Sequence, residues 1–92
     1  MPELEPIVGR VLAARRKRAG LTQEALAEAC ELHPTYVSQL ERGLKSPTLR
    51  VLFRLADAVG VSPASLVRAF ERELDQQKAT QKGRRKAQTR AK

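Results

Sequence analysis

TQEALAEACELHPTYVSQLERG, Thr22 to Gly43, holds two short amphipathic segments separated by a turn too brief to be anything else. Thr22 is a good N-cap, and Leu26, Ala27 and Cys30 then fall on one face of a helix that ends near Cys30. Glu31-Leu32-His33 supplies the turn, Pro34 suits the first position of the next helix, and Gly43 stops it. Two short helices joined in this way form a helix-turn-helix over about residues 22–42. At 100° per residue the second of them, helix 3, is two-sided. Tyr36, Val37 and Leu40 cluster on one side and Thr35, Ser38, Gln39 and Arg42 on the other.

Outward from this unit the pattern stays helical. Pro6 can occupy a first turn, Ile7, Val8, Val11 and Leu12 follow with helical spacing, and Gly20 ends helix 1, expected over roughly 6–19. Past Lys45-Ser46-Pro47, Thr48 can cap helix 4, whose apolar residues Leu49, Leu52, Phe53, Leu55, Ala56 and Val59 run to Gly60. Ser62-Pro63 repeats the cap-plus-proline start, and Leu66, Val67, Phe70 and Leu74 mark helix 5, expected over about 63–77. No strand pattern occurs, so the expected class is all-α, a compact five-helix domain of residues 1–77. The remainder, 78–92, reads KATQKGRRKAQTRAK and has no hydrophobe larger than alanine, so it is expected to be a basic flexible tail.

The 92 residues carry 18 Lys and Arg against 10 Asp and Glu, a net charge of +8, which favours a polyanionic partner. Residues 78–92 hold seven bases and no acid, leaving the folded part at +1. Any DNA affinity of that part therefore depends on where its charges sit. Cys30 has no second cysteine to pair with, and no secretory or membrane-spanning stretch stands out, so the expected setting is cytoplasmic and nucleoid-associated. One cysteine and one histidine, His33, cannot assemble a structural zinc site, and neither a metal nor a cofactor is expected. The same scarcity of catalytic side chains, with no phosphate-cradling glycine loop, argues against an enzyme.

Helix 3 presents chemistry suited to base edges, which demand paired donors and acceptors. Gln39 can bond adenine N6 and N7 together, Ser38 can meet several base edges, and the Thr35 methyl can rest on a thymine methyl. Gln23, Arg42, Lys45 and the helix 4 N-terminus at Thr48 are the expected phosphate contacts. For all of these the plainer reading is a solvated helix surface.

With those residues set out, the run from Gly20 to Pro63 resembles the Cro and lambda-repressor type of helix-turn-helix regulators, the XRE family. The similarity spans Arg10 to about Phe70 and rests on LTQEALA, YVSQLERG, the proline before helix 4 and LADAVGVSP. The resemblance implies a five-helix, lambda-repressor-like domain that binds a near-palindromic operator as a homodimer, with helix 3 in the major groove of double-stranded DNA. It assigns Gln23 to a phosphate, Thr35, Ser38 and Gln39 to bases, and Arg16 to an ion pair with Glu41. Pro34 and His33 depart from the family pattern: proline removes a donor at the start of helix 3, and histidine replaces the commoner serine, threonine or asparagine cap.

Several alternatives stay open in the sequence. Phe70 and Leu74 can finish the monomer core or form a dimer contact. Lys82, Arg84, Arg85 and Lys86 can solubilise the chain end or follow DNA phosphates as auxiliary contacts. Related small members serve as phage repressors, restriction-modification controllers and antitoxins, so a rival to transcriptional regulation is an antitoxin or adaptor whose main partner is a protein. A third reading is nonspecific packaging of nucleic acid by the tail.

Overall fold

A computed structural model describes the backbone of residues 2–90 and the side chains of residues 2–80. Five helices follow one another: α1 (Leu4–Arg18), α2 (Gln23–Ala29), α3 (Pro34–Glu41), α4 (Leu49–Ala58) and α5 (Pro63–Arg90). No strand occurs among the described residues.

The starts of these helices follow the capping chemistry of the sequence. Thr22 Oγ1 accepts from the Ala25 amide at 3.0 Å, Thr48 Oγ1 from Val51 at 3.2 Å and Ser62 Oγ from Ser65 at 3.0 Å. Each bond satisfies one of the amides a helix start leaves without a partner. α1 begins two residues before Pro6, which the first turn tolerates for the same reason.

The ends of α1 to α4 share one geometry, in which the residue after the C-cap turns left-handed and the next amide reaches back five residues. Leu21 bonds Arg16 O, Leu32 bonds Ala27 O, Leu44 bonds Gln39 O and Val61 bonds Ala56 O, all within 2.8–3.1 Å. Glycine holds the left-handed position at 20, 43 and 60, but after α2 it is Glu31, at φ 56°.

α1 packs against α3 and α5, α2 against α3 and α4, and α4 against α5. Between them lies one core, with Ile7, Leu12, Leu26, Leu40, Leu55 and Leu66 at its most enclosed points. α1 and α3 touch through their backbones at Gly9. A Cβ there would stand 2.5 Å from Glu41 O and 2.6 Å from Leu40 O, so only glycine permits this approach.

α5 corrects the expected boundary near Gln77, because the helix runs to Arg90. Absence of large hydrophobes removes a reason to pack, not a reason to be helical. Residues 76–90 contain no proline and are rich in Ala, Gln, Lys and Arg, which favour helix. Thr80 Oγ1 also donates to Gln76 O at 3.0 Å along this stretch.

Candidate nucleic-acid interface

The helix-turn-helix places α3 at the surface with its two sides well separated. Val37 and Leu40 are each 1% exposed and anchor it in the core, while Thr35 and Arg42 are exposed and Ser38 and Gln39 half-buried. The short hydroxyl and amide side chains that the sequence singles out therefore share one outward side of a helix held from behind. Arg42 stands at the C-terminal end of that side, its Nε 3.4 Å from Ser38 O.

The N-terminus of α3 settles the question raised by His33. Its Nδ1 accepts from the Thr35 amide at 3.1 Å, so the imidazole does the work of a conventional cap, and Pro34 occupies the next position, where no donor is required. The backbone amide of Thr35 is thereby engaged, while its side chain remains at the surface.

What sets the pose of α3 is Glu41. Arg16 Nε donates to Glu41 Oε2 at 2.6 Å, Arg16 Nη2 to Oε1 at 3.0 Å, and Gln23 Nε2 also to Oε1, at 2.9 Å. Arg16 further donates through Nη1 to Leu21 O at 2.8 Å. One carboxylate thus ties α1, α2 and α3 together, with the Arg16 and Glu41 side chains only 12% and 7% exposed. Hydrogen bonding to Glu41 is the main influence holding the Arg16 guanidinium above its ordinary range, against the opposing effect of burial.

This geometry matches the expected Arg16–Glu41 pairing and adds Gln23 to it. Two amides of similar reach, Gln23 and Gln39, are indistinguishable by type, and only the packing of α2 on α3 turns Gln23 inward. Its carboxamide retains one further N–H and its oxygen for an outside partner.

Lys45 and Thr48 lie exposed on the connection from α3 to α4. Thr48 Oγ1 is the cap of α4, so the free amides of that helix start lie beside an accessible hydroxyl. Phe70 and Leu74, the expected dimer contacts, pack on the monomer core: Phe70 is 8% exposed and Leu74 is partly buried against the same cluster. Among the described residues the exposed large apolar side chains are Leu4, Leu44, Leu49, Phe53 and Val67; Leu49 and Phe53 of α4, 70% and 55% exposed, stand one turn apart with Arg50 and Arg54 beside them. Spacing alone cannot separate these cases, since residues at the edge of an apolar stripe look the same whether a neighbouring helix covers them or not. The side chains of Lys82, Arg84, Arg85 and Lys86 fall outside those described.

Elsewhere, Cys30 is buried, its Sγ 3.5 Å from Arg54 O, and burial is the main cause raising its thiol above the usual range. Among the described residues no group of three or more His, Cys, Asp or Glu is placed to hold a metal ion, and no helix is long and apolar enough to cross a membrane.

Comparison with known proteins places this geometry. A family model described as helix-turn-helix matches residues 12–66. The HTH-type transcriptional regulator y4dJ of Sinorhizobium fredii is 40% identical over 65 residues, covering 71% of this chain and 84% of its own. The control protein C.BamHI of Bacillus amyloliquefaciens is 36% identical, over 63% of this chain and 72% of its own. Among solved structures, the clp gene regulator ClgR of Corynebacterium glutamicum superimposes with a TM-score of 0.81 at 32% identity, covering 91% of this chain and 89% of that one.

Proposed function

The chain belongs to the XRE-type helix-turn-helix family of DNA-binding transcriptional regulators, and on that premise we propose that it reads a specific double-stranded operator as a homodimer. The observation that carries this reading is the outward side of α3, where Thr35, Ser38, Gln39 and Arg42 stand together on a helix whose angle is held by Glu41. α3 enters the major groove, with Thr35, Ser38 and Gln39 at base edges. Gln23, Arg42, Lys45 and Thr48 bond phosphates on either side and set the register.

The second copy pairs through α4, where Leu49 and Phe53 expose apolar surface that a dimer would cover. A two-fold interface places the same patch against itself and gives an inverted repeat with half-sites about one helical turn apart. Residues 1–77 act as the DNA-reading unit, and Lys82, Arg84, Arg85 and Lys86 add phosphate contacts along flanking DNA. The setting for this activity is the cytoplasm, on the nucleoid.

Selection of binding sites from random duplex DNA tests the reading. The full chain is expected to recover an inverted repeat, and Ser38→Ala/Gln39→Ala to lose it while keeping nonspecific affinity. Recovery of the same repeat by that variant would remove α3 from the reading of sequence. In sedimentation, Phe53→Ser is expected to shift the dimer toward monomer; an unchanged dimer would place the interface elsewhere.

A further inference from the structure

The arginines on the outer side of α1 take no part in the interface above. At 100° per residue around the helix, Ala14 and Arg18 lie roughly opposite Gly9 and Arg16, which meet α3, and Arg10 flanks them. On that far side α1 and α5 enclose an open groove of about 350 Å³. Its walls are Arg10, Arg15 and Arg18 of α1 with Arg72 and Glu73 of α5, and Val11, Ala14 and Ala69 complete the lining.

The positive charge there is largely uncompensated. Glu73 is the single carboxylate of the lining, and its contact with Arg10 is 3.5 Å long between side chains 53% and 35% exposed. Such a solvated pair is weak. Among the described residues, Arg15, Arg18 and Arg72 make no ion pair. Cations in the last turn of a helix favour its dipole, which accounts for Arg15 and Arg18. It does not account for Arg10 in the middle of α1, for Arg72 within α5, or for the convergence of all four on one groove.

We propose that the α1/α5 groove docks an acidic segment of a partner protein, its carboxylates on Arg15, Arg18 and Arg72 and a small apolar side chain over Val11, Ala14 and Ala69. Guanidinium forks suit carboxylates in paired geometry. Arg15 and Arg18 lie about 4.5 Å apart along α1, close to one turn, with Arg72 on the α5 wall, a spacing that fits carboxylates on successive turns of an acidic helix. The DNA that α3 would read lies on the other side of α1. A second duplex would meet the Glu73 carboxylate in the wall, whereas an acidic helix can leave an apolar residue beside it. The groove's occupant is independent of which bases α3 contacts.

The test uses the full chain and a fluorescein-labelled, alanine-based helical peptide carrying glutamates four residues apart and one leucine. Binding is read by anisotropy at fixed salt, with circular dichroism confirming each variant's fold. Arg15→Ala/Arg18→Ala/Arg72→Ala is expected to weaken the peptide complex about tenfold, the summed effect of three exposed pairs. Its affinity for a random-sequence duplex should stay unchanged. Glu73→Gln, which removes the competing carboxylate, is expected to tighten the peptide complex, a gain that misfolding cannot imitate.

Three results would overturn the proposal. Peptide affinity that falls only in Lys82→Ala/Arg84→Ala/Arg85→Ala/Lys86→Ala would assign the attraction to the C-terminal bases. An equal loss of duplex affinity in the groove variant would make the groove a DNA surface. Displacement of the peptide by inorganic tripolyphosphate, with the leucine dispensable, would make it a phosphate site.

Discussion

Glu31 is the residue whose backbone stands at odds with its side chain. It holds a left-handed conformation that glycine holds at the three equivalent helix ends, and that conformation costs an L-residue about 1 kcal/mol. Glu31→Gly is expected to raise stability by about 0.5 kcal/mol, the relief of strain being partly offset by greater freedom of the unfolded chain. A higher urea midpoint with an unchanged slope would show it. Cys30 gives a pH dependence of defined sign. Its thiol is raised in the folded state mainly by burial, with Asp57 adding to the rise and Arg54 opposing it, so the unfolded chain ionises first. The contribution to stability is complete below the ordinary thiol range, near pH 8.5, and declines as pH rises through it. Urea titrations at successive alkaline pH should therefore show a steeper loss for the native chain than for Cys30→Ala.

Among the elements, the joint of α1, α2 and α3 at Glu41 is the most sensitive. Removing one partner of a pair this enclosed leaves a charge stranded, so Arg16→Ala and Glu41→Ala are each expected to cost about 3 kcal/mol. Arg16→Met/Glu41→Leu, which removes both charges, should cost less than either single change, and a double-mutant cycle by chemical denaturation measures the difference. Much at this scale was legible beforehand. Caps at Thr22, Thr48 and Ser62 and glycine stops at 20, 43 and 60 are local chemistry, written within a few residues of where they act. The Arg16–Glu41 pair was accessible through family resemblance, because its partners lie 25 positions apart. Less visible were features set by neighbours: the inward turn of Gln23, the enclosure of Phe70 with exposure of Phe53, and the close approach at Gly9. The extension of α5 escaped because hydrophobic periodicity reports packing, and its last turns lack the side chains that would register it.

For the whole molecule, the decisive quantity is how the +8 charge is distributed. If the C-terminal bases follow phosphates, Lys82→Ala/Arg84→Ala/Arg85→Ala/Lys86→Ala should flatten the plot of log affinity against log salt by about 2 units or more, at about 0.9 per lost contact. The selected sequence should stay the same, since phosphate contacts do not discriminate bases. A full slope retained in the variant would confine DNA contact to residues 1–77. The proposed reading, pairing and docking would occupy separate surfaces: the outer side of α3, the exposed stripe of α4 and the arginine groove behind α1. The first of these has an evolutionary consequence. Thr35, Ser38, Gln39 and Arg42 contribute no side chain to the core or to the joint at Glu41. Mutation at these four positions is therefore nearly free of a folding penalty, and a duplicated gene can drift to a new target sequence without first passing through an unfolded ancestor.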